Sequence, residues 1–456
     1  MEIGTNQNIS PVNLPSQPLT KAPEAELNSP APPEQKDTVH IVKYAQSDLT
    51  PDGKVPIIIK AKSSEELESF KKSLPIFKNK PLIKDDLPVI NGFTAEVDPK
   101  ELISLYQKKP EDISIFLNGR VRFPEPVIPE ADKASPVISP KLDVAIPTLG
   151  VDKVWQQGYT GKGVGIAIID TGIYPHPDLK NRIVAFKDFI NGNTEPYDDQ
   201  GHGTHVAGDA AGDGTASAGK YKGTAPDANL ISIKVLDKHG AGRFSDIIKG
   251  IQWAIANKDK YNIRVINMSL GGPVTDSYKD DPVAQTVEQA MKAGIVPVIA
   301  AGNSGPKPGT VGTPGFDPNV LTVGALDDKN TVDRSDDEVA KFSSRGPTPV
   351  DGLTKPDVLT PGVKITAANA PGSELDKMPQ IPHVGENYIT ISGTSMATPI
   401  MSGIVADLIQ ANPKLTPEQV KAIFKETADK LPAVDANTQG SGVVDPQEAI
   451  KKALAG

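Results

Sequence analysis

Cysteine is missing from the chain altogether. That excludes disulfides, a thiol nucleophile, cysteine-ligated zinc and iron–sulfur clusters. It leaves the redox compartment open. Basic residues are also in deficit: 48 Lys and Arg stand against 57 Asp and Glu, for a net charge of -9. A general nucleic-acid binder draws its affinity from Lys and Arg on phosphate, so that class is set aside. Long apolar runs are lacking too. A membrane span needs about 20 consecutive apolar residues. The richest stretch, Ala293-Gly294-Ile295-Val296-Pro297-Val298-Ile299-Ala300-Ala301, is far shorter and reads as a buried strand. The opening residues, MEIGTNQNISPVNLPSQ, carry neither a basic nor an apolar leader region, so no secretory signal peptide is read there. Location stays open between the cytoplasm and export by another route, with an extracellular place as the alternative.

What is present divides into parts. At roughly 100–200 residues per domain, 456 residues predict two or three units. Residues 1–38 are polar and proline-rich, with too little apolar surface to offset the entropy of ordering, and read as a disordered tail. Residues 39–123 read as a small α+β domain. VPIIIKA is a strand, Ser63 and Glu66 form a capping box before a helix, and VINGFTAEV is a strand kinked at Asn91-Gly92. Asp98 and Glu101 cap a second helix, and Ile113–Phe116 and Arg120–Phe123 are strand-like. The order β-α-β-β-α-β is the split βαβ pattern of ferredoxin-like domains. Residues 124–147, broken by six prolines, read as an exposed linker open to proteolysis. Residues 148–456 alternate apolar strands with helices, which predicts an α/β domain: a mostly parallel sheet covered by helices on both faces.

In such a sheet reactive groups lie beyond the carboxyl ends of the strands. Three segments fit. Asp170 ends the apolar strand Ile166–Ile169 ahead of a Gly turn, where a turn or cap role would serve equally. Gly201-His202-Gly203-Thr204-His205-Val206-Ala207-Gly208 is a tightly packed helix start. Its histidines are either catalytic or, with Asp209, metal ligands. Gly393-Thr394-Ser395-Met396-Ala397 places a serine at a sharp helix entry, as nucleophile or as plain N-cap. Together they supply an acid, an imidazole and a hydroxyl in the order Asp, His, Ser, one of the orders in which hydrolytic triads occur. Gly240-Ala241-Gly242 follows a strand as a dinucleotide loop would, but a lone GxG is a weak signal.

IAIIDTGI, HGTHVAG and GTSMATP resemble the three signature blocks of the subtilisin-like serine peptidases (subtilases), among them the bacterial AprX-like group. The resemblance runs from about Leu149 to the C-terminus. Asn267–Gly272, Ala301–Gly305 and Phe342–Pro347 match supporting blocks. Residues 39–123 resemble the inhibitor-like propeptide that precedes such domains.

The resemblance implies Ser395 as nucleophile, His202 as its base with His205 structural, and Asp170 as orienter of the imidazole. It implies the Asn303 amide and the Ser395 N–H as oxyanion donors. Ser269, Leu270 and Gly271 would form a strand edge for a substrate peptide, and Ala300, Ala301 and Gly302 would line the primary pocket. The implied function is a serine endopeptidase made as a self-processing zymogen. Its partners would be protein or peptide substrates and its own propeptide as intramolecular inhibitor. The chemistry requires no cofactor. The family often offers calcium the position of Asp178, but residues 212–222 lack the companion ligand pattern, so structural calcium is left open. Two other classes are carried: a binding scaffold that kept the fold, and a metal-dependent hydrolase built on His202, His205 and Asp209.

Overall fold

In the computed structural model the described residues are 48–73, 83–123, 127 and 142–455. The expected disordered tail lies outside them, as does most of the proline-rich linker.

Local signals and tertiary packing agree in the small N-terminal layer. Ser63 and Glu66 form the predicted reciprocal cap: Ser63 N–H donates to Glu66 Oε2 at 2.9 Å and Glu66 N–H to Ser63 Oγ at 3.2 Å. The helix Ser64–Ser73 then buries Leu67 and Phe70. Strands β1 (Val55–Ala61), β2 (Ile83–Leu87), β3 (Gly92–Val97) and β4 (Ile113–Leu117) form an antiparallel sheet in the order β2-β3-β1-β4. That is the ferredoxin-like arrangement. Two details differ from the sequence reading. The strand expected over VINGFTAEV begins only at Gly92, because Pro88–Ile90 turns as a 3-10 helix and Asn91 takes a left-handed conformation with φ 49, and β2 lies upstream of it. The last strand, β5 (Arg120–Arg122), leaves this sheet to pair elsewhere.

The linker ends earlier than expected. Leu142–Leu149 is a helix that contains Pro147 in its last turn, with Ala145, Ile146 and Leu149 in the main core. Burial of these side chains outweighs the hydrogen bond that proline removes.

The remaining strands are β6 (Gly165–Asp170), β7 (Ile183–Asp188), β8 (Asn229–Lys234), β9 (Ala241–Arg243), β10 (Ile263–Met268), β11 (Val296–Ala300), β12 (Leu321–Asp327), β13 (Glu338–Val339) and β14 (Val358–Pro361). Beyond these lie β15 (Ile365–Ala368), β16 (His383–Val384) and β17 (Tyr388–Ile391), a small antiparallel sheet. The large sheet runs β13-β12-β11-β10-β6-β8-β7, with β14 also on β12, and only β13 is antiparallel. Every residue of β6 is buried. That is why the strand reads as an unbroken apolar run.

The chain order reverses around β6. From there it builds outward through β8 and β7 on one side and through β10, β11 and β12 on the other. Such a reversal opens a crevice at the carboxyl ends of the central strands. Two cores flank the sheet. One includes Val206 and Ala207 of the helix His202–Ala211 and Met396, Ala397 and Ile400 of the helix Thr394–Ala411. The other packs Ile247, Ile248 and Ile251 of the helix Phe244–Ala256 with Val283 and Val287, and it also takes in Leu87, Ile90, Val121 and Phe123. The small domain therefore shares a core with the large one.

One polar contact fixes that docking. Asn118, buried, accepts from the Ser245 N–H at 3.0 Å and donates to Ser245 Oγ at 2.9 Å. It caps from outside the first turn of the helix Phe244–Ala256, whose leading N–H groups have no partner within the helix.

Candidate active site

Asp170 closes β6 and is fully buried. Its Oδ1 accepts the Thr171 N–H at 2.7 Å and faces His202 Nδ1 at 2.8 Å. The loop before His202 is held by one carboxylate. Asp198 Oδ1 accepts from the N–H groups of Gln200 and Gly201, and Oδ2 accepts from the N–H and hydroxyl of Thr204. Gly203 lets the helix press onto the exit of β6: a Cβ there would stand 2.1 Å from the Gly172 carbonyl oxygen. This explains the glycine inside HGTH.

His205, one turn on, serves the scaffold. Its Nδ1 meets Asp209 Oδ2 at 3.0 Å and its Nε2 meets the carbonyls of Ile365 and Ile389 at 3.2 and 3.3 Å. Burial holds the Asp209 carboxyl above its ordinary range. The metal reading of His202, His205 and Asp209 fails on this geometry, since the histidines turn to different carboxylates. Among the described residues no group of three His, Asp or Glu is placed to hold a metal.

Ser395 is the second residue of the helix Thr394–Ala411. Its N–H belongs to the first turn, where the helix offers no acceptor. Pro399 lies four residues on and has no N–H, so the Ser395 carbonyl loses its helical donor. Ser269 replaces it, its Oγ donating to the Ser395 carbonyl at 2.9 Å. The Ser395 hydroxyl in turn donates to the Ser269 carbonyl at 3.3 Å. The Ser269 side chain thus braces the serine turn. Asn303, just past β11, has its Oδ1 fixed by the N–H and hydroxyl of Thr394, both at 2.9 Å. That anchoring turns the amide nitrogen toward Gly393, where an added Cβ would lie 3.1 Å from Nδ2.

Leu270, Gly271, Ala300, Ala301, Gly302 and Asn303 line one cavity of about 490 Å³. The expected pocket residues are thus brought together. The site is closed to solvent: His202 has no exposure and Ser395 has 1%. The cover is the chain itself. β5 pairs antiparallel with β9, Val121 opposite Gly242. On its other edge Arg122 exchanges backbone hydrogen bonds with Gly271, at 3.3 and 3.0 Å. The Phe123 ring stacks on the His202 imidazole, centroids 4.3 Å apart. Past the site, Val127 exchanges backbone bonds with Ser392 at 2.8 and 3.1 Å.

Lys234 was missed. It is fully buried on β8 opposite Asp170, and its ammonium donates to the carbonyls of Thr171 and Leu236 and to Asp199 Oδ1 at 2.7 Å. The signal was a lone charge inside an apolar strand, Ile231-Ser232-Ile233-Lys234-Val235. Asp178 is tied into the fold: its Oδ1 accepts from the Ala216 N–H at 2.7 Å and its Oδ2 from the Tyr388 hydroxyl at 2.7 Å.

Residues 161–442 match the family model of the subtilases, peptidase family S8. The chain belongs to the subtilase family. It is 46% identical to serine protease AprX of Bacillus subtilis (strain 168) over 373 residues, 81% of each chain. It is 32% identical to a thermostable alkaline protease of Halalkalibacterium halodurans, over 80% of this chain and 84% of that one. Subtilisin E of Bacillus subtilis (strain 168) is 38% identical over 299 residues, 65% of this chain and 68% of that one. This subtilase is a subtilisin-like serine endopeptidase, acting on proteins. No helix among its described residues is long and apolar enough to cross a membrane.

Lys234 ties the segment after Asp170 to the loop before His202. Lys234→Met, in a Ser395→Ala background that prevents self-digestion, is expected to lower unfolding stability by about 3 kcal/mol, read by denaturant titration. A change under about 0.5 kcal/mol, the size of an ordinary surface substitution, would mean that Lys234 is not the tie.

Proposed function

We propose that this subtilase cleaves peptide bonds through Asp170, His202 and Ser395, and that it is made as a zymogen which cuts itself. The bond between His202 Nδ1 and Asp170 carries the catalytic assignment. With Nδ1–H donating to the carboxylate, the lone pair sits on Nε2, which is buried and makes no hydrogen bond. Rotation of the Ser395 hydroxyl away from the Ser269 carbonyl presents its proton to Nε2. As the proton leaves, Oγ attacks the scissile carbonyl carbon, and Asp170 stabilises the imidazolium without taking the proton. The new oxyanion is met by the Ser395 N–H and the Asn303 amide. Their positions are fixed by the helix start and by Thr394, so little reorganisation is left for the reaction itself. His202 then protonates the departing amine. Water, deprotonated by the same imidazole, frees the acyl-enzyme. Side chains and backbone suffice for every step, without a cofactor.

The zymogen reading rests on the strand in the cleft. β5 occupies the edges that a substrate peptide would use, and Phe123 covers the base. The same chain pairs at Arg122 with Gly271 and at Val127 with Ser392, three residues before Ser395. We place the processing bond between these two anchors, from Phe123 to Val127. Residues before it act as an intramolecular inhibitor, since the paired strand blocks both cleft edges until it is released.

Intact-mass spectrometry of the purified protein checks both parts. Wild type is expected as two fragments meeting between Phe123 and Val127, and Ser395→Ala as one uncut chain of 48.2 kDa. The variant should also lose on the order of 10⁶ in kcat. Ser395→Ala maturing alone at the wild-type rate would refute self-processing, and a junction outside residues 123–127 would refute the assignment of the bond.

A further inference from the structure

The resident strand is a mould of what the cleft accepts. Along it side chains alternate, as a strand requires. Val121 is buried, Arg122 is exposed and Phe123 is buried again. The Phe123 ring lies nearly parallel to the His202 imidazole, 15° between planes. Against the ring runs the backbone of Gly240. That residue has φ +70, and a Cβ built on it would stand 1.8 Å from Phe123 Cε1 and 2.5 Å from Cδ1. No side chain beyond hydrogen fits at position 240 while the ring is in place.

The slot is held by the turn around it. Gly240 N–H donates to the Asp237 carbonyl at 2.9 Å, Asp237 N–H to the Ala241 carbonyl at 2.8 Å, and Ala241 N–H to Asp237 Oδ1 at 3.1 Å. Leu375, Met378 and Ile381 line the hollow beside Phe123. The glycine-rich loop that resembled a dinucleotide motif is thus one wall of a flat, apolar slot whose other wall is the imidazole. A planar ring fills such a slot and gains from stacking; a small side chain leaves it empty.

We propose that Gly240 is a specificity-determining residue: with His202 it forms a slot selecting substrates that bring a Phe or Tyr side chain onto the imidazole. The proposal rests on the proteolytic reading above. The residue before the ring faces outward, as Arg122 does, and is not selected.

The test uses the active enzyme and internally quenched peptides of the chain's own sequence, NGRVRFPEPVIP (residues 118–129), with the Phe123 position as Phe, Tyr, Leu, Ala or Gly. Phe and Tyr peptides are expected to exceed Ala and Gly peptides in kcat/KM by about tenfold or more. Replacing the preceding Arg by Ala should change kcat/KM by less than about threefold, as for a side chain left in solvent. Gly240→Ala should cut the Phe peptide's value about tenfold and leave the Gly peptide's nearly unchanged. Equal cleavage across the series by wild type would overturn the proposal, whether or not Gly240→Ala folds. If no peptide is cut and Ser395 takes no fluorophosphonate label, the proteolytic reading falls, and this proposal with it. The two failures are thereby distinct.

Discussion

Asp170 and His202 meet at 2.8 Å with neither side chain open to water, and the surrounding architecture answers to the demands of that contact. A carboxylate cannot be kept charged in a dry place without donors. Thr171 N–H supplies one and the imidazole supplies another. Asp170 can stand there because it ends a fully buried strand of the sheet, where the chain order reverses and the crevice opens. His202 can stand there because Gly203 admits the helix to the strand exit and Asp198 ties the approaching loop with four hydrogen bonds. Lys234 fastens the two segments from behind.

The serine side depends on a different device. Proline at position 399 strips the Ser395 carbonyl of its helical partner, and Ser269 fills the gap from β10's exit. Asn303 is fixed through Thr394, the neighbour of Ser395. Two segments distant in sequence are thereby locked to one helix start. Strand β5 and Phe123 cover this assembly with ordinary forces: backbone pairing on two edges, a buried Val121, and an aromatic ring on the imidazole. Nothing in that list is covalent.

Much of this was legible in sequence because the signals are local. The apolar run Ile166–Ile169 ahead of a Gly turn marked β6 within one residue at each end. The capping box at Ser63 and Glu66 marked its helix. The three motif blocks named Asp170, His202 and Ser395. What was not legible depends on tertiary partners. β7 carries exposed and charged positions and gave no clean period. β15, β16 and β17 are two to four residues long, too short for one. Arg120–Arg122 reads as a strand, but nothing local says that its partner is β9 rather than β4. The burial of His202 and Ser395 follows from that pairing and so was missed with it. The bracing of Ser395 by the Ser269 side chain depends on Pro399, 130 residues on, a connection only the fold makes.

The central claim is a dry, assembled Asp170–His202 pair sealed beneath Phe123. Proton NMR of the imidazole N–H groups in full-length Ser395→Ala tests it most directly. The account predicts a slowly exchanging Nδ1–H resonance of His202, well downfield of the amides at neutral pH, that disappears in Asp170→Ala. A spectrum without that resonance, or one in which it survives the loss of Asp170, would contradict it.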